Sequence, residues 1–364
     1  MRIEKSLMSS PRSILALTRE HIGDLVCTTP ALRSLRRLYP DAHIAVEVGE
    51  RAACVLANSP FFDEIILRPE HQGLSGKARF IRLLLRRRFD LGVVLDLSPD
   101  MILYLRLGGV RRRAALVSKK RFANLLTDRV PFDPMQHEMI DNFRNVVGLL
   151  GADISNARPE VFPSAQDAAA VDALFAEHDL DAEETLIALN PGASAPANRW
   201  LAERFAEVGD LLAQRPGTRI LLLGSEGDLP IVAQVMRGMQ IAPVVLTGQL
   251  TVLQLAETLR RCSLLITNDT GPMHLGCAVQ TPIVAVFGPA VPHESGPGYV
   301  PGNIVLRNVD GCPKCTKYEC RDDRRCMRAV TVAEVAAAAA TLLETSDHQS
   351  SPVRTDQEEH RIQT

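Results

Sequence analysis

The stretch SILALTREHIGDLVCTTPALRSLRRL, residues 13–38, decides the fold of this chain. It begins with an apolar run at 13–18 that has the length of a buried strand. A helical pattern of apolar residues follows at 25–38, and the loop between them carries Gly23 and Asp24. Strand, loop and helix in this order are the repeating unit of an α/β fold with a parallel sheet.

The same alternation runs through both halves of the chain. In the first half, further strands are predicted at 43–48, 64–67, 91–96 and 114–117, with helices at 78–88 and 136–150. In the second half, strands are predicted at 186–190, 219–223, 243–246, 264–267, 283–287 and 304–306, with helices at 202–214, 229–239, 251–261, 272–279 and 332–343. We therefore predict two Rossmann-like domains, residues 1–160 and 161–345, that face one another across a cleft, and a disordered tail at 346–364.

Composition excludes several classes of protein. The 364 residues include 41 Lys and Arg against 43 Asp and Glu, so there is no overall positive charge for binding nucleic acid. Aromatic residues make up 4%, too few for a platform of rings that stacks bases. An uninterrupted apolar run of about 18 residues, the length that spans a membrane, is missing from the sequence. The apolar run at 14–17 is too short for a signal peptide, so we expect a cytoplasmic protein.

The loop after the first strand is a candidate for the reacting centre. Gly23 permits a tight turn or a close approach of substrate to the backbone. Asp24 follows at the start of the predicted helix, and it has two interpretations. It is either an N-cap, which stabilises a helix by about 0.5–2 kcal/mol, or a general base that points into the cleft.

A second candidate is the run ITNDTGPMHL, residues 266–275. A strand is predicted to end at Thr267, and Asp269 or Thr270 then caps a helix that starts with Gly271. Proline at the next position suits a first helical turn. A helix N-terminus at the carboxyl end of a parallel strand is a ready anion site. The run therefore indicates either a nucleotide phosphate site or helix capping alone.

Three more side chains are candidates for donor binding. His274 is either a hydrogen-bonded, half-buried histidine or a donor to a phosphate. Arg199 follows the strand-end loop NPGAS at 190–194, and it either clamps a diphosphate or stacks on Trp200 at the surface. Glu226 follows the next strand, where its carboxylate could accept hydrogen bonds from sugar hydroxyls.

Four of the eight cysteines crowd into residues 312–326, at Cys312, Cys315, Cys320 and Cys326. This spacing indicates a structural zinc or iron site, a set of free thiols in a compact loop, or a disulfide that forms only on oxidation. A metal here would be structural, because four thiolates leave no open position for substrate. The scattered Cys27, Cys54, Cys262 and Cys277 are predicted to be small core residues. The string at 179–181, DLD, indicates a turn, so we expect no catalytic magnesium.

Residues 79–129 contain thirteen Lys and Arg but only four Asp and no Glu. Such a run is usually a solvated helix face. In an acceptor-binding domain it would also suit an anionic glycolipid at the inner membrane surface.

In this order, these pieces resemble glycosyltransferase family 9, the lipopolysaccharide heptosyltransferases. The resemblance covers residues 14–343. Its matching segments are GD at 23–24, TPAL at 29–32, PGA at 191–193, RW at 199–200, Gly248 with Leu253 and LA at 255–256, NDTGPMHL at 268–275 and CM at 326–327. The early Gly-Asp pair and the NDTGPMHL run are specific in combination.

The resemblance implies a GT-B fold and an inverting, metal-independent sugar transfer. The acceptor would bind the N-terminal domain and an ADP-heptose-like donor the C-terminal one. Asp24 corresponds to the family's presumed base, with Gly23 and Thr29 on the acceptor-side loop. Asp269, Thr270 and Gly271 correspond to the residues that cradle the donor diphosphate. The sequence departs from the family at Asn198, where many members carry a lysine that contacts donor phosphate.

The predicted function is thus heptose transfer from a nucleotide-sugar donor to the lipopolysaccharide inner core, without a catalytic cofactor and without nucleic acid as partner. Three alternatives remain open. One is a GT-B transferase with another nucleotide sugar or a protein acceptor. Another is a GT-B sugar-nucleotide epimerase, which would turn over its substrate without an acceptor. The third is a metal-stapled binding protein, in which loss of Asp24 would leave the role intact.

Overall fold

The computed structural model describes residues 10–68, 73–117, 121–133, 135, 140–181, 183–308, 320 and 322–350. It contains two parallel sheets of six strands each, which confirms the α/β prediction. The first sheet is made of β1 (Ser13–Leu17), β2 (His43–Gly49), β3 (Glu64–Arg68), β4 (Leu91–Val94), β5 (Arg112–Val117) and β6 (Asp128–Pro131). The second is made of β7 (Thr185–Asn190), β8 (Thr218–Leu222), β9 (Val244–Val245), β10 (Leu264–Asn268), β11 (Ile283–Val286) and β12 (Ile304–Leu306).

Helices connect the strands and cover the sheets. In chain order they are α1 (Ile22–Leu38), α2 (Leu74–Arg87), α3 (Pro99–Leu107), α4 (Ile140–Leu149), α5 (Ala165–Glu177), α6 (Ala202–Ala213), α7 (Leu229–Gly238), α8 (Val252–Arg261), α9 (Gly271–Val279), α10 (Pro292–Ser295), α11 (Arg325–Ala329) and α12 (Val332–Ser350). Among the described helices, none is both long and apolar enough to cross a bilayer.

The two sheets share one topology. The first has the order β3-β2-β1-β4-β5-β6 and the second the order β12-β11-β10-β7-β8-β9. Both are the doubly wound order, in which the first strand of the sheet lies at its centre and the order of the following strands reverses beside it. The reversal leaves a crevice at the carboxyl ends of β1 and β4 in one sheet, and of β7 and β10 in the other. Ligands of such sheets bind at these points.

Several elements differ from the sequence prediction. The edge strand β6 and helix α3 were not predicted, because β6 has four residues, two of them Arg129 and Pro131, and α3 has only nine. Helix α5 was missed as well, although Ser164 and Asp167 form a capping box at its start. The last helix continues to Ser350, beyond the predicted start of a disordered tail at 346, in a stretch without glycine or proline before the proline at 352.

One of the buried hydrophobic clusters runs through both halves of the molecule, and each half has a further cluster of its own. Helix α1 is buried along most of its length, and it packs against α4 of its own half and α9 of the other. A single cluster of buried side chains therefore joins residues of the first sheet to residues of the second, for example Leu25 and Val26 to Leu253 and Met273.

The scattered cysteines follow the prediction in three cases of four. Cys27, Cys262 and Cys277 are buried, and burial raises the pKa of the Cys262 thiol to about 12, so this thiol is inert near neutral pH. Cys54 is exposed, and its assignment to the core was wrong. It lies in a short 3-10 segment, Glu50–Leu56, whose buried positions are filled by Ala52, Val55 and Leu56.

Candidate functional site

The crevices of the two sheets meet where the first turns of α1 and α9 touch. The ring of His274, on α9, packs directly against Gly23 of α1. A methyl group built at Gly23 would lie 2.5 Å from Cδ2 of this ring. One turn away, a methyl group at Gly271 would lie 3.6 Å from Cγ2 of Ile22. Two helix N-termini, each with a partial positive charge, therefore converge between the sheets.

Asp24 lies in the first turn of α1, one residue after Gly23. The N-cap of this helix is His21, so the interpretation of Asp24 as a simple N-cap was wrong. Its carboxylate instead forms an ion pair with Arg19, with 2.8 Å between Asp24 Oδ2 and Arg19 Nε. About a quarter of each side chain is exposed. Asp24 thus has a defined orientation at the edge of the cleft and remains accessible to a substrate.

Helix α9 starts where the sequence predicted an anion site. Thr270 is its N-cap, with Gly271 and Pro272 in the first turn. The neighbouring Asp269 carboxylate accepts a hydrogen bond of 3.3 Å from Asn198 Nδ2 and another of 3.3 Å from Ser295 Oγ. Asn198, the residue that departs from the family pattern, is thereby held beside the helix N-terminus.

Two buried asparagines hold the loops of this crevice together. Asn268 donates from Nδ2 to the carbonyl of Pro191 at 2.9 Å and accepts at Oδ1 from the backbone N–H of Trp200. Asn190 donates to Thr267 Oγ1 at 3.1 Å. The loop after β7 is therefore fixed against the loop after β10, and the first residues of α9 keep one position relative to Arg199.

Arg199 is half-buried, and its Nε donates to the carbonyl of Ala193 at 2.9 Å. Trp200 is fully buried and donates from Nε1 to the carbonyl of Val330, so the alternative of a surface arginine stacked on a surface tryptophan was wrong. Glu226 is exposed after β8, with its backbone close to Gly248. Arg199 and Glu226 thus stand on the same carboxyl edge of the second sheet as α9.

Two residues that the sequence predicted to contact substrate, Thr29 and His274, are buried. Thr29 lies inside α1, is 1% exposed, and its hydroxyl donates to the carbonyl of Val26 and accepts from the backbone N–H of Glu160. Its placement on an acceptor-side loop was wrong, because Thr29 lies within the helix and its hydroxyl is buried against the segment that contains Glu160. His274 is 7% exposed, and its Nδ1 lies 3.3 Å from Cys27 Sγ on α1. This position matches the hydrogen-bonded histidine more closely than the phosphate donor, which stays a prediction.

A cavity of about 530 Å³ opens at the crevice of the first sheet. Its wall is polar and consists of Arg19, Glu20, His21, Arg68, Lys77, Asp96, Ser98, Asp100, Met101 and Tyr104. Arg68 organises one side of it by donating to the buried Glu47, to Glu20 and to the carbonyl of Thr18. Burial alone would lower the pKa of Arg68, but the hydrogen bonds and charge of Glu47 outweigh it and raise the pKa.

Two cations of this cavity, Arg19 and Arg68, were not predicted from the sequence as site residues. Arg19 is in the quoted loop, five residues before Asp24. The sequence does not show how this loop leads into the helix, and the ion pair depends on that conformation. Arg68 was visible as a cation directly after an apolar strand, a position where a charge is either solvated or paired. The partner, Glu47, is on the neighbouring strand β2, and strand order is what brings them together.

The four-cysteine cluster lies partly outside the described residues. Cys312 and Cys315 belong to the part of the chain that the structure does not describe. Cys326 is buried on α11, and Cys320 Sγ accepts from the backbone N–H of Arg324 at 3.1 Å. Within the described ranges, no three His, Cys, Asp or Glu side chains are grouped to hold a metal ion. The zinc or iron site stays a prediction.

Comparisons with known proteins point to one family. The model of glycosyltransferase family 9 (heptosyltransferase) matches residues 77–325. Lipooligosaccharide heptosyltransferase 2 of Haemophilus ducreyi is 27% identical over 313 residues, which span 82% of this chain and 89% of that protein.

Solved structures agree with this match. A family 9 glycosyltransferase from Veillonella parvula superimposes with a TM-score of 0.84 and 30% identity, covering 93% of this chain and 99% of that one. ADP-heptose lipopolysaccharide heptosyltransferase II of Escherichia coli follows with a TM-score of 0.75, 22% identity, and coverage of 92% and 99%. The second likeness shows the fold alone. With the two doubly wound sheets, these likenesses confirm the predicted GT-B architecture.

The contact between Gly23 and His274 gives a first prediction. Gly23→Ala places a methyl group against the imidazole, so α1 and α9 must shift apart, at a cost of about 1–3 kcal/mol in the free energy of unfolding. Thermal and urea denaturation measure this cost. Gly73→Ala is the matched control, because a methyl group there meets nothing within 4 Å. The double variant Gly23→Ala with His274→Ala should recover part of the lost free energy of unfolding, because the ring is gone. A Gly23→Ala protein as stable as the wild type would contradict the contact.

Proposed function

The chain belongs to glycosyltransferase family 9, the heptosyltransferase family, and from this we propose that it moves a heptose from an ADP-heptose-type donor to the inner core of a lipopolysaccharide. We propose further that the transfer inverts the anomeric configuration and uses no catalytic metal. The relatives' names supply the class of sugar and acceptor. The steps proposed for the reaction rest on the geometry of this chain.

The observation that carries the proposal is the contact between the first turns of α1 and α9. It places a carboxylate, Asp24, next to a helix N-terminus that starts at Thr270. Sugar transfer from a nucleotide needs both groups at once. One takes a proton from the attacking hydroxyl, and the other stabilises the negative charge that develops on the leaving diphosphate.

In the proposed step, an acceptor hydroxyl attacks the anomeric carbon while its proton passes to Asp24. The bond from this carbon to the diphosphate oxygen breaks, and the nucleoside diphosphate leaves with the electron pair. A single displacement of this kind inverts the anomeric centre. The amides at the start of α9 and the guanidinium of Arg199 stabilise the negative charge on the leaving group. In other enzymes a metal ion has this role.

The donor side would be completed by groups on the same edge of the second sheet. Asp269 and Asn198 lie beside the first turn of α9, joined by their hydrogen bond. Glu226 is exposed beyond β8, where a carboxylate suits the hydroxyls of a ribose or a heptose. Because Asn198 stands where many members of the family carry a lysine, Arg199 would provide more of the positive charge for the diphosphate.

The acceptor would enter through the polar cavity of the first sheet, beside Asp24. Helix α2 leads from this cavity to the outer surface, with Lys77 in the cavity wall. Its outward face carries exposed leucines, Leu74 at 89% and Leu85 at 51% exposure, together with exposed cations at Arg79, Arg82 and Arg86. Residues 74–88 contain six Lys and Arg and no acid.

This face, which we call the α2 surface, suits the inner membrane surface where a lipid-anchored acceptor would be held. The turn after α3 extends it, since Leu85 lies 3.5 Å from the position of a methyl group at Gly109, and Leu107 is 48% exposed. Cations near an anionic membrane each contribute about 1 kcal/mol, and apolar side chains add to this when they enter the interface. The surface would thus concentrate the enzyme where its acceptor is anchored.

The base role of Asp24 predicts a loss of rate with little loss of donor binding. Asp24→Asn keeps the size of the side chain but cannot accept the proton, so kcat should fall by about 10²-fold or more. The Kd for ADP, from calorimetry, should stay within a few-fold of the wild type. Turnover close to the wild-type rate would exclude Asp24 as the base, and conversion of a nucleotide sugar without acceptor would favour an epimerase.

The donor site predicts weaker ADP binding after two substitutions. The structure accommodates a methyl group at Gly271 at ordinary contact distance from Ile22, so Gly271→Ala keeps the fold but places carbon where the diphosphate approaches. We expect its affinity, and that of Arg199→Ala, to fall about tenfold, or ~1.4 kcal/mol. Asn198→Lys should strengthen binding. Unchanged Kd values in both weakened variants would place the donor elsewhere.

The α2 surface predicts binding to anionic vesicles. Leu74→Ser with Arg79→Gln should weaken binding to phosphatidylglycerol-containing vesicles about tenfold, as measured by sedimentation. The matched control is Met236→Ser with Arg237→Gln on α7, which removes an exposed apolar side chain and a cation from the other half. The surface would be wrongly assigned if both double variants bound alike, or if neutral phosphatidylcholine vesicles bound equally well.

A further inference from the structure

Arg19 belongs both to the wall of the polar cavity and to an ion pair with Asp24. Arg19 is one of the residues that line the 530 Å³ cavity, and its Nε lies 2.8 Å from Asp24 Oδ2. The neighbouring cation of the wall, Arg68, is directed elsewhere, to Glu47, Glu20 and a backbone carbonyl. Arg19 is therefore the cation that links the contents of this cavity to the carboxylate of the proposed base.

The ion pair works against base catalysis as long as it persists. A guanidinium within hydrogen-bond distance stabilises the ionised carboxylate and makes it a poorer proton acceptor. The N-terminus of α1 acts in the same direction, because Asp24 lies in its first turn. An Asp24 paired in this way is poorly suited to activating water, which matters because water could otherwise attack a bound donor.

An anionic group in the cavity would change this balance. Lys77 and Arg19 both line this cavity, so a phosphate or carboxylate that enters it would attract their side chains, whereas the carboxylates of the wall would not pair with it. Both Arg19 and Asp24 are about a quarter exposed, so a group that enters the cavity can reach the ion pair. Each partner of the pair would then have a new neighbour: the anion for Arg19, and the acceptor hydroxyl for Asp24.

We propose that Arg19 is a positioning residue that restrains Asp24 until an anionic acceptor enters the cavity and draws the guanidinium away. The inference rests on the proposed function, in which Asp24 is the base. Without acceptor, the pair suppresses the attack of water on the anomeric carbon, in which the proton would pass to Asp24 and the nucleoside diphosphate would leave. With acceptor, the same bonds form and break, with the sugar hydroxyl in place of water.

The test is the rate at which ADP is released from ADP-heptose without acceptor, compared with the rate of transfer. In Arg19→Gln, release without acceptor should rise about fivefold or more, while the KM for the acceptor rises. Arg19→Lys, which keeps the positive charge, should release ADP at close to the wild-type rate. Arg19→Gln with Asp24→Asn should return release to the background rate, because the added hydrolysis passes through Asp24.

Two outcomes would overturn the inference. One is an Arg19→Gln protein that loses transfer without a gain in hydrolysis, which would make Arg19 a simple support for Asp24. The other is a gain in hydrolysis that persists in the double variant, which would trace it to a site other than Asp24. Failure of the proposed function has a different signature, since Asp24→Asn alone would then transfer at the wild-type rate whatever Arg19 does.

Discussion

The contact between His274 and Gly23 is the constraint on which the site depends. It fixes the start of α9 against the start of α1, so packing sets the position of the Asp24 carboxylate relative to the N-terminus of α9. Glycine is required at position 23 because the imidazole occupies the space of a side chain. The contact also explains why His274 is buried although it lies only four residues from a helix N-cap.

Topology explains why this contact can be made at all. Each sheet has the doubly wound order, so each has its crevice beside its first strand. The loop after β1 and the loop after β10 both emerge at such a crevice, and the helices that follow them extend away from it. When the two sheets face one another, the N-termini of α1 and α9 are the elements that meet. Asn190 and Asn268 then keep the second crevice in one shape.

Much of this arrangement could be predicted from the sequence. Strand and helix alternation gave the two doubly wound halves, and the runs around Asp24 and Thr270 identified the loops that meet in the cleft. Contacts between distant segments could not be predicted in this way. The pairing of Arg68 with Glu47 depends on which strands are neighbours, and the burial of Thr29 depends on a contact with the distant segment around Glu160. The orientation of His274 toward Cys27 depends on packing between residues that are 247 positions apart.

The shared hydrophobic core has a consequence for how the chain folds. Side chains of α1 and of the second half belong to one buried cluster, which is complete only when both halves are present, although each half also has a buried cluster of its own. Separated at the segment between the two sheets, each half would expose an apolar face of the kind that drives aggregation. The face of α1 that packs on the second half is therefore covered only once α9 has been made. The same packing of one half on the other brings the first turns of α1 and α9 together.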